Sequence, residues 1–270
     1  DMLRDGEIRS AVQGAQAKVI VNLAPQLSNH VPHLDANWED TARLLVNSTP
    51  ALMRAAQAAG VEFVVHVSYA FVYGNTGGAV AAEATTPNLG EEPLVVVVAA
   101  LQAEQTVLES GVPAAVLRAG YVYGARLPET LELRDTLVGG RGVMVGEEQT
   151  FANWIHVDDL VQAILRAIEK KPAGAVLNVV DNHPASPARF VGYLAESMNV
   201  TVHASRPGFF SRMSAPRTPA ARTQAALLET STRATNARAS EVLGWTPRYP
   251  SYREGIDQTL LILRAEEPVR

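Results

Sequence analysis

Three short runs rich in valine and isoleucine constrain the fold of this chain more than any other feature of its sequence. They occupy residues 18–24, 61–67 and 112–118. Nearly unbroken apolar runs of this length are typical of strands that are buried on both faces. The segments between them, residues 38–59 and 94–110, carry apolar side chains at helical spacing, although the valines that open the second segment would also suit a strand. Strands that alternate with helices in this way predict an α/β protein with a parallel sheet.

A proline interrupts the first of these helical segments. Because proline removes a hydrogen bond from a helix interior, Pro50 predicts a kink there, or a restart of the helix with Ser48 as its N-cap. Gly60 is expected to end the helix, since glycine adopts the left-handed conformation that commonly follows a last helical turn.

The second half of the chain is less regular. Residues 204–236 are rich in Ala, Arg, Ser, Thr and Pro, and we predict that they form a mobile loop or lid. His156 and the acidic pair that follows it are expected to fix the start of a helix. The remaining predicted elements are helices over residues 128–138, 157–169, 188–198 and 237–264 and strands over residues 142–145 and 175–180.

Composition excludes several classes of function. The chain has 270 residues, 23 basic and 28 acidic side chains and no basic block, so binding to nucleic acid through phosphate neutralisation is not expected. It contains no cysteine, which excludes disulfides, thiol catalysis and cysteine-based zinc sites. The longest apolar run, residues 94–101, is far too short to span a membrane, and no targeting segment is evident. We therefore expect a cytoplasmic protein with no membrane partner.

Several segments in the expected order resemble the extended short-chain dehydrogenase/reductase family, the NAD-dependent epimerase/dehydratases of nucleotide sugars. Each combines apolar residues with a few fixed polar, aromatic or glycine positions. They are Asp-Met-Leu-Arg-Asp at 1–5, Val-Ser-Tyr-Ala-Phe-Val-Tyr-Gly at 67–74, Leu-Arg-Ala-Gly-Tyr-Val-Tyr-Gly at 117–124, Trp-Ile-His-Val-Asp-Asp-Leu at 154–160, Leu-Gly-Trp-Thr-Pro at 243–247 and Tyr-Arg-Glu-Gly at 252–255.

The resemblance implies a fold and a division into domains. It implies an α/β, Rossmann-like doubly wound parallel sheet that is amino-truncated and carries a small C-terminal substrate lobe. Residues 1–125 would form the Rossmann-like core without its first strands. Residues 126–270 would mix the substrate lobe with segments that return to the core.

The resemblance also implies ligands and site residues. The cofactor would be NAD or NADP, and the substrate a nucleotide-sugar-like molecule. The positions that match the family's cofactor site are Asp1, Leu23, Ala24, Val67, Ser68, Arg118, Tyr121 and Val122. The positions that match its substrate site are Tyr73, Arg126 and Asn153. No metal is implied, and His30, His33 and Asp35, which have the donor types of a metal site, are interpreted as a solvated turn.

The family's phosphate-binding segment has no counterpart in this sequence. The family begins with a strand and a Gly-rich turn whose backbone amides hold the pyrophosphate. The glycines at 74–78 and 139–142 do not join a strand to a helix and are interpreted as loop glycines. Two explanations remain open: the chain is a fragment, or the natural protein has lost the pyrophosphate site. Binding of the dinucleotide is therefore in question.

The family's catalytic residues are replaced as well. If Glu104 is aligned with the family's glutamate, the tyrosine and lysine of its Tyr-x-x-x-Lys dyad fall on Val96 and Ala100. Tyr69 stands at the position of the catalytic serine, with Ser68 one residue earlier. Neither valine nor alanine can act as a general acid or base. The usual hydride and proton chemistry is therefore expected to be absent.

Two functions are consistent with these replacements. The chain is either a ligand-binding or non-catalytic relative of the epimerases, or an active oxidoreductase or epimerase in which Tyr69, with Ser68, supplies a non-standard acid. The second function requires a cation, Arg118 or Arg126, to lower the pKa of the Tyr69 phenol. His66 lies inside an apolar strand and is interpreted as a core residue.

The first apolar strand raises a question of partners. In the family's sheet, residues 18–24 lie beside a central strand that this sequence does not contain. An exposed strand edge promotes aggregation. We therefore predict that a second copy in a homodimer, a separate chain or a rearranged loop covers this edge.

Overall fold

The computed structural model describes residues 1–24, 38–202, 204–205 and 219–266. Its helices are α1 Asp5–Ala15, α2 Trp38–Ala58, α3 Val95–Glu109, α4 Pro128–Val138, α5 Val157–Lys170, α6 Pro187–Ser197, α7 Pro219–Glu229, α8 Ala237–Leu243 and α9 Tyr252–Glu266. Its strands are β1 Val19–Asn22, β2 Phe63–Tyr69, β3 Val80–Ala81, β4 Ala114–Ala119, β5 Tyr121–Tyr123, β6 Val143–Met144, β7 Trp154–His156, β8 Val176–Val179, β9 Ala204–Ser205 and β10 Arg233–Ala234. A short 3-10 helix, Ala70–Tyr73, follows β2.

The central sheet contains four parallel strands in the order β1-β2-β4-β8. Val65 pairs with Val21 of β1 on one side and with Ala115 of β4 on the other. Every residue of β2 and β4 is buried, as their predominantly apolar sequences predict. The predicted α/β class with a parallel Rossmann-like sheet is confirmed.

Alternating side chains of the central strands face two helical layers. On one face, Val65, Val67 and Leu117 pack in a cluster with residues of α5 and α8. On the other face, Val64 and Val116 pack in a cluster with residues of α1, α2 and α3. The result is the three-layer arrangement in which each strand is covered on both sides.

The first helical segment is continuous, contrary to the predicted restart at Ser48. The helix α2 runs through Pro50 for 21 residues, and Ser48 is buried within it. The apolar face of α2 packs against α1 and α3, and this tertiary packing offsets the hydrogen bond that proline removes. Gly60 follows the helix with φ +67°, as predicted.

Helices occur in residues 94–110 and in residues 204–236, the two segments whose secondary structure was hardest to predict from the sequence. The valine run that also suited a strand begins α3, and several valines and alanines of its first turns are buried. Part of the loop expected over residues 204–236 is the helix α7, which begins at a proline and carries buried Leu227 and Leu228. Proline at the first helical position followed by alanine, glutamine and leucine favours a helix, and these two leucines are buried on folding.

A second apolar cluster lies beyond the carboxyl ends of the sheet strands. The ring of Trp154 is stacked on that of Phe190 with centroids 3.9 Å apart, and the ring of Tyr123 meets the Phe190 ring edge to face. This cluster joins β5 and β7 to α6 and α9. The division at residue 125 stays a prediction. No helix in the described part of the chain is long and apolar enough to cross a membrane.

The strand β1 lies at one edge of the described sheet. Its only strand partner among the described residues is β2. Val19, Ile20 and Val21 are half-buried and Asn22 is buried, so the strand is not fully solvated. That a second copy or chain covers this edge stays a prediction.

Candidate functional site

A narrow pocket lies where β2 and β4 end. Because the strands are parallel, their carboxyl ends meet at one edge of the sheet, where open α/β sheets bind ligands. Tyr69, Tyr121 and Asn153, three of the predicted site residues, line this pocket together. Its free volume is about 10 Å³, which is room for about one water molecule.

Aromatic rings account for the narrowness of the pocket. The ring of Phe71 is stacked on that of Tyr69, with centroids 4.6 Å apart and planes 15° apart. Trp38 meets both rings edge to face, and Tyr121 lies 5.8 Å from Phe71. The role of Phe71 and Trp38 was not predicted. Phe71 does fall within the motif at 67–74, but its spacing alone does not distinguish a pocket residue from a core residue.

Tyr69 is poorly suited to act as an acid. Burial raises the pKa of the Tyr69 phenol well above its ordinary value, and the neighbouring Tyr121 raises it further. The expected cations do not oppose this shift. Arg118 is paired with Glu104, and Arg126 is exposed and paired with Glu266 at 2.8 Å. The geometry therefore does not supply the lowered pKa that a catalytic role for Tyr69 requires.

Ser68 and Arg118 belong to a buried polar network below the pocket. The Arg118 Nη2 donates to Glu104 Oε2 at 2.7 Å, and its Nε donates to both carboxylate oxygens at 3.1 Å. Ser68 Oγ donates to Glu104 Oε1 at 2.6 Å. The guanidinium lies 4.8 Å from the centre of the Tyr73 ring, and Tyr73 Oη donates to Asn178 Oδ1 at 2.8 Å. The predicted site residues Ser68, Arg118 and Tyr73 therefore lie close together, and their contacts are with other residues of the protein.

The face of α3 that packs on the sheet carries the two positions that the resemblance assigns to the dyad. Val96 and Ala100 are both fully buried, and Glu104 lies on the same face at the next helical interval of four residues. This register places Glu104 against Arg118 of β4. The two positions that the resemblance assigns to tyrosine and lysine therefore hold apolar side chains in the core.

Asn153 connects the pocket to the segment after α7. Its Oδ1 accepts from the Ala234 amide at 2.8 Å, and its Nδ2 donates to the Thr232 carbonyl at 3.3 Å. Its own carbonyl accepts from the Tyr121 amide at 2.7 Å. Because these hydrogen bonds engage the Asn153 side chain, Asn153 holds in place the part of the pocket wall that Thr232 forms.

The other predicted cofactor residues lie away from this pocket. Asp1 is exposed and its carboxylate accepts from the Leu3 amide. Val67 and Val122 pack against the α5 side of the sheet. Leu23 is 43% exposed and Ala24 is buried after the end of β1.

The histidines have structural partners. His156 is the N-cap of α5, where its Nδ1 accepts from the Asp158 amide at 3.2 Å, which confirms that prediction. The positions of His30, His33 and Asp35 lie outside the described residues. Within the described ranges, no group of three or more histidine, aspartate or glutamate residues is placed to hold a metal.

His66 makes stability depend on pH. It is fully buried in β2, its Nδ1 lies 2.9 Å from Asn22 Nδ2, and burial lowers its pKa from 6.5 to about 4. The unfolded chain therefore binds a proton more readily between these two values, so this group's stabilising contribution falls as the pH falls from 6.5 to about 4. The loss corresponds to about 3 kcal/mol.

Urea denaturation of the protein and of His66→Asn between pH 7 and pH 4 would measure this contribution. We expect the variant to lose less stability over this range, whatever its stability at pH 7. Burial raises the pKa of Asp181, which acts with the opposite sign, but it does so in both proteins. If the free energy of unfolding fell equally with pH in the two proteins, the assignment of this pH dependence to His66 would be contradicted.

The described residues form only an incomplete site for a nicotinamide dinucleotide. The pocket at the strand ends holds about one water molecule, with the rings of Tyr69 and Tyr121 in its wall. No Gly-rich strand-to-helix turn for the pyrophosphate lies within the 270 residues.

The three-layer fold and the pocket at its strand ends define a Rossmann-like protein of the extended short-chain dehydrogenase/reductase class. The model of the NAD dependent epimerase/dehydratase family matches residues 1–180. The chain belongs to this family.

One curated relative is similar over almost the whole chain. It is "3-diazoavenalumate denitrifying reductase" from a Streptomyces species, 31% identical over 266 residues, which are 95% of this chain and 84% of the relative.

Solved structures share the fold at lower identity. MoeE5 in complex with UDP-glucuronic acid and NAD is 24% identical, with a TM-score of 0.75 over 96% of this chain and 82% of that one. The UDP-glucose 4-epimerase of Thermus thermophilus in complex with NAD is 18% identical, with a TM-score of 0.77 over 98% of this chain and 84% of that one.

Proposed function

We propose that this chain is a reductase for an acceptor that needs no acid from the protein, such as an aryl diazonium ion. The observation that carries the proposal is the buried face of α3, where Val96 and Ala100 stand at the positions of the dyad. The standard chemistry of the family, in which a phenol beside an ammonium group moves a proton, has no counterpart at these positions.

A site without a protein acid would be restricted in the reductions that it can perform. Hydride addition to a carbonyl produces an alkoxide, which must be protonated, and a positioned acid typically contributes roughly 10²–10⁴-fold to such a step. An aryl diazonium ion is different, because the ion and a hydride together give an arene and N₂. The carbon–nitrogen bond breaks, a carbon–hydrogen bond forms and no further proton is taken up. An apolar, aromatic pocket is compatible with this reaction.

The comparisons support this choice of acceptor. The relative that is similar over 95% of the chain is named as a denitrifying reductase of a diazo compound. Family membership and neighbours solved with NAD support a reduced nicotinamide dinucleotide, which supplies a hydride when bound. The chain's own residues supply the aromatic walls and exclude water, and no part of the proposal depends on where the dinucleotide lies.

The proposal is tested by supplying the 270-residue chain with NADH or NADPH and one of three acceptors. These are a benzenediazonium salt, benzaldehyde and UDP-glucose, with protein-free mixtures as controls. We expect nicotinamide oxidation and release of one N₂ per nicotinamide with the diazonium salt alone. Reduction of benzaldehyde, or diazonium reduction no faster than in the protein-free mixture, would contradict the proposal. The latter result would favour a ligand-binding role without turnover.

A further inference from the structure

A second cavity adjoins the pocket at the strand ends. It lies between the 3-10 helix after β2, the loop before α3 and the helix α7, and its volume is about 340 Å³. Phe71, Leu227 and Thr230 line both cavities, so the two cavities share a wall. A volume of this size is within the range of small-molecule sites.

The walls of this outer cavity are held in place by the backbone. Gly74 has φ +67°, and a Cβ atom there would lie 1.9 Å from the Asn88 carbonyl oxygen, so the two segments are in close contact. The Asn88 amide donates to the Tyr73 carbonyl at 2.8 Å, and Thr232 Oγ1 donates to the Gly74 carbonyl at 2.6 Å. The cavity is therefore preformed on this side.

The charges around the cavity do not suit a phosphate. Neither cavity is lined by a lysine, arginine or histidine in the part of the chain that the structure describes, and Glu92 is the one charged residue among the described lining residues. The side chains of Asn75 and Asn88 are engaged within their own loop, where each oxygen accepts from a glycine amide. Phosphate recognition generally relies on arginine, lysine or free amides.

Beside these polar residues, the walls offer aromatic and aliphatic surface. Phe71 already stacks on Tyr69, and aromatic rings favour stacked or edge-to-face neighbours at such distances. Leu94, Val97 and Leu227 provide the opposite walls. An uncharged planar ring would bury apolar surface here without leaving a charge unpaired.

We infer that the outer cavity, which adjoins the pocket at the strand ends, binds an uncharged planar aromatic group and excludes a nucleotide diphosphate. The inference deepens the proposed function, on which it rests, by naming the part of the substrate that this site recognises. It assigns specificity to Phe71, Leu227 and Thr230, and it departs from the nucleotide-sugar-like ligand that the family resemblance implies.

Two ligands with the same ring system test this inference. Calorimetric titration would compare 2-naphthol, its phosphate ester 2-naphthyl phosphate and UDP-glucose on the full chain without any hydride donor. We expect 2-naphthol to bind at least about tenfold more tightly than either phosphate-containing ligand. Tighter binding of UDP-glucose or 2-naphthyl phosphate would overturn the inference, and so would equal affinities for all three ligands.

A pair of threonine variants ties the binding to this cavity. Thr230 and Thr106 each donate a hydroxyl to a carbonyl four residues earlier at 2.8 Å, and both are half-buried, but Thr106 lies on α3 outside both cavities. We expect Thr230→Lys to weaken 2-naphthol binding at least about tenfold and Thr106→Lys to change it less than about twofold. Equal effects of the two substitutions would overturn the assignment to this cavity.

The binding measurements test the inference about the cavity, and the turnover measurements test the proposed function. If 2-naphthol binds as expected but the diazonium salt is not reduced, the aromatic site stands and the proposed function fails. If the diazonium salt is reduced but 2-naphthol binds no better than its phosphate ester, the inference about this cavity fails alone.

Discussion

Replacing Glu104 by glutamine is expected to lower the free energy of unfolding by about 3–5 kcal/mol. Glu104 and Arg118 are both nearly fully buried, and three hydrogen bonds join them. Without the carboxylate, the guanidinium charge stays in the core without a counter-charge. Ser68 would also lose the charged acceptor of its hydroxyl.

Urea denaturation with linear extrapolation would measure the loss. Glu109→Gln is the control, because Glu109 is exposed on the same helix, and we expect it to change stability by less than about 0.5 kcal/mol. The double variant Glu104→Leu with Arg118→Met is expected to recover most of the loss, since it removes both charges. A loss below about 1 kcal/mol for Glu104→Gln would show that the ion pair does not hold α3 on the sheet.

Replacing Gly255 by alanine is expected to be the most damaging small substitution in the aromatic cluster around Trp154 and Phe190. A Cβ atom at this position of α9 would lie 1.9 Å from Tyr123 Oη and 2.7 Å from its Cζ. The Tyr123 ring is 1% exposed and is held between the rings of Trp154, His156 and Phe190, so it cannot move aside. Overpacking of this kind costs about 1–3 kcal/mol or more.

Gly192→Ala is the matched control for this substitution. Gly192 lies inside α6, and nothing lies within 4 Å of a Cβ atom there. Alanine should therefore stabilise that helix by roughly 0.5–1 kcal/mol relative to glycine. Thermal denaturation of the two variants should give shifts of opposite sign, and shifts of the same sign would contradict the packing described around Tyr123.

The sheet could be predicted from the sequence because its strands are buried on both faces. A predominantly apolar run such as residues 61–67 is rarely found outside the buried core of a folded protein. Local sequence signals predicted secondary structure less reliably where tertiary packing determines it. Pro50 predicts a kink or a restart of the helix, yet α2 does not restart there, and it packs against α1 and α3 as one helix. The polar composition of residues 204–236 obscured α7, whose leucines are buried.

The candidate site was harder to predict than the fold. The sequence alone places Tyr69 at the end of a strand, but it does not reveal that Phe71, Trp38 and Tyr121 surround it. Those contacts join segments far apart in the chain, and they determine that burial raises the pKa of the phenol. Likewise, Arg118 is a plausible ligand-binding residue by position, and only the structure shows that Glu104 holds it.

The measurement that tests the central claim most directly is the rate of diazonium reduction by the protein and by its Tyr69→Phe variant. Our account predicts N₂ release that depends on the protein, and a kcat for the variant within about tenfold of the original, because no protein acid is required. Two results would contradict it. One is the absence of protein-dependent N₂ release, and the other is a loss of roughly 10²–10⁴-fold in kcat on removal of the Tyr69 hydroxyl, as expected for a general acid.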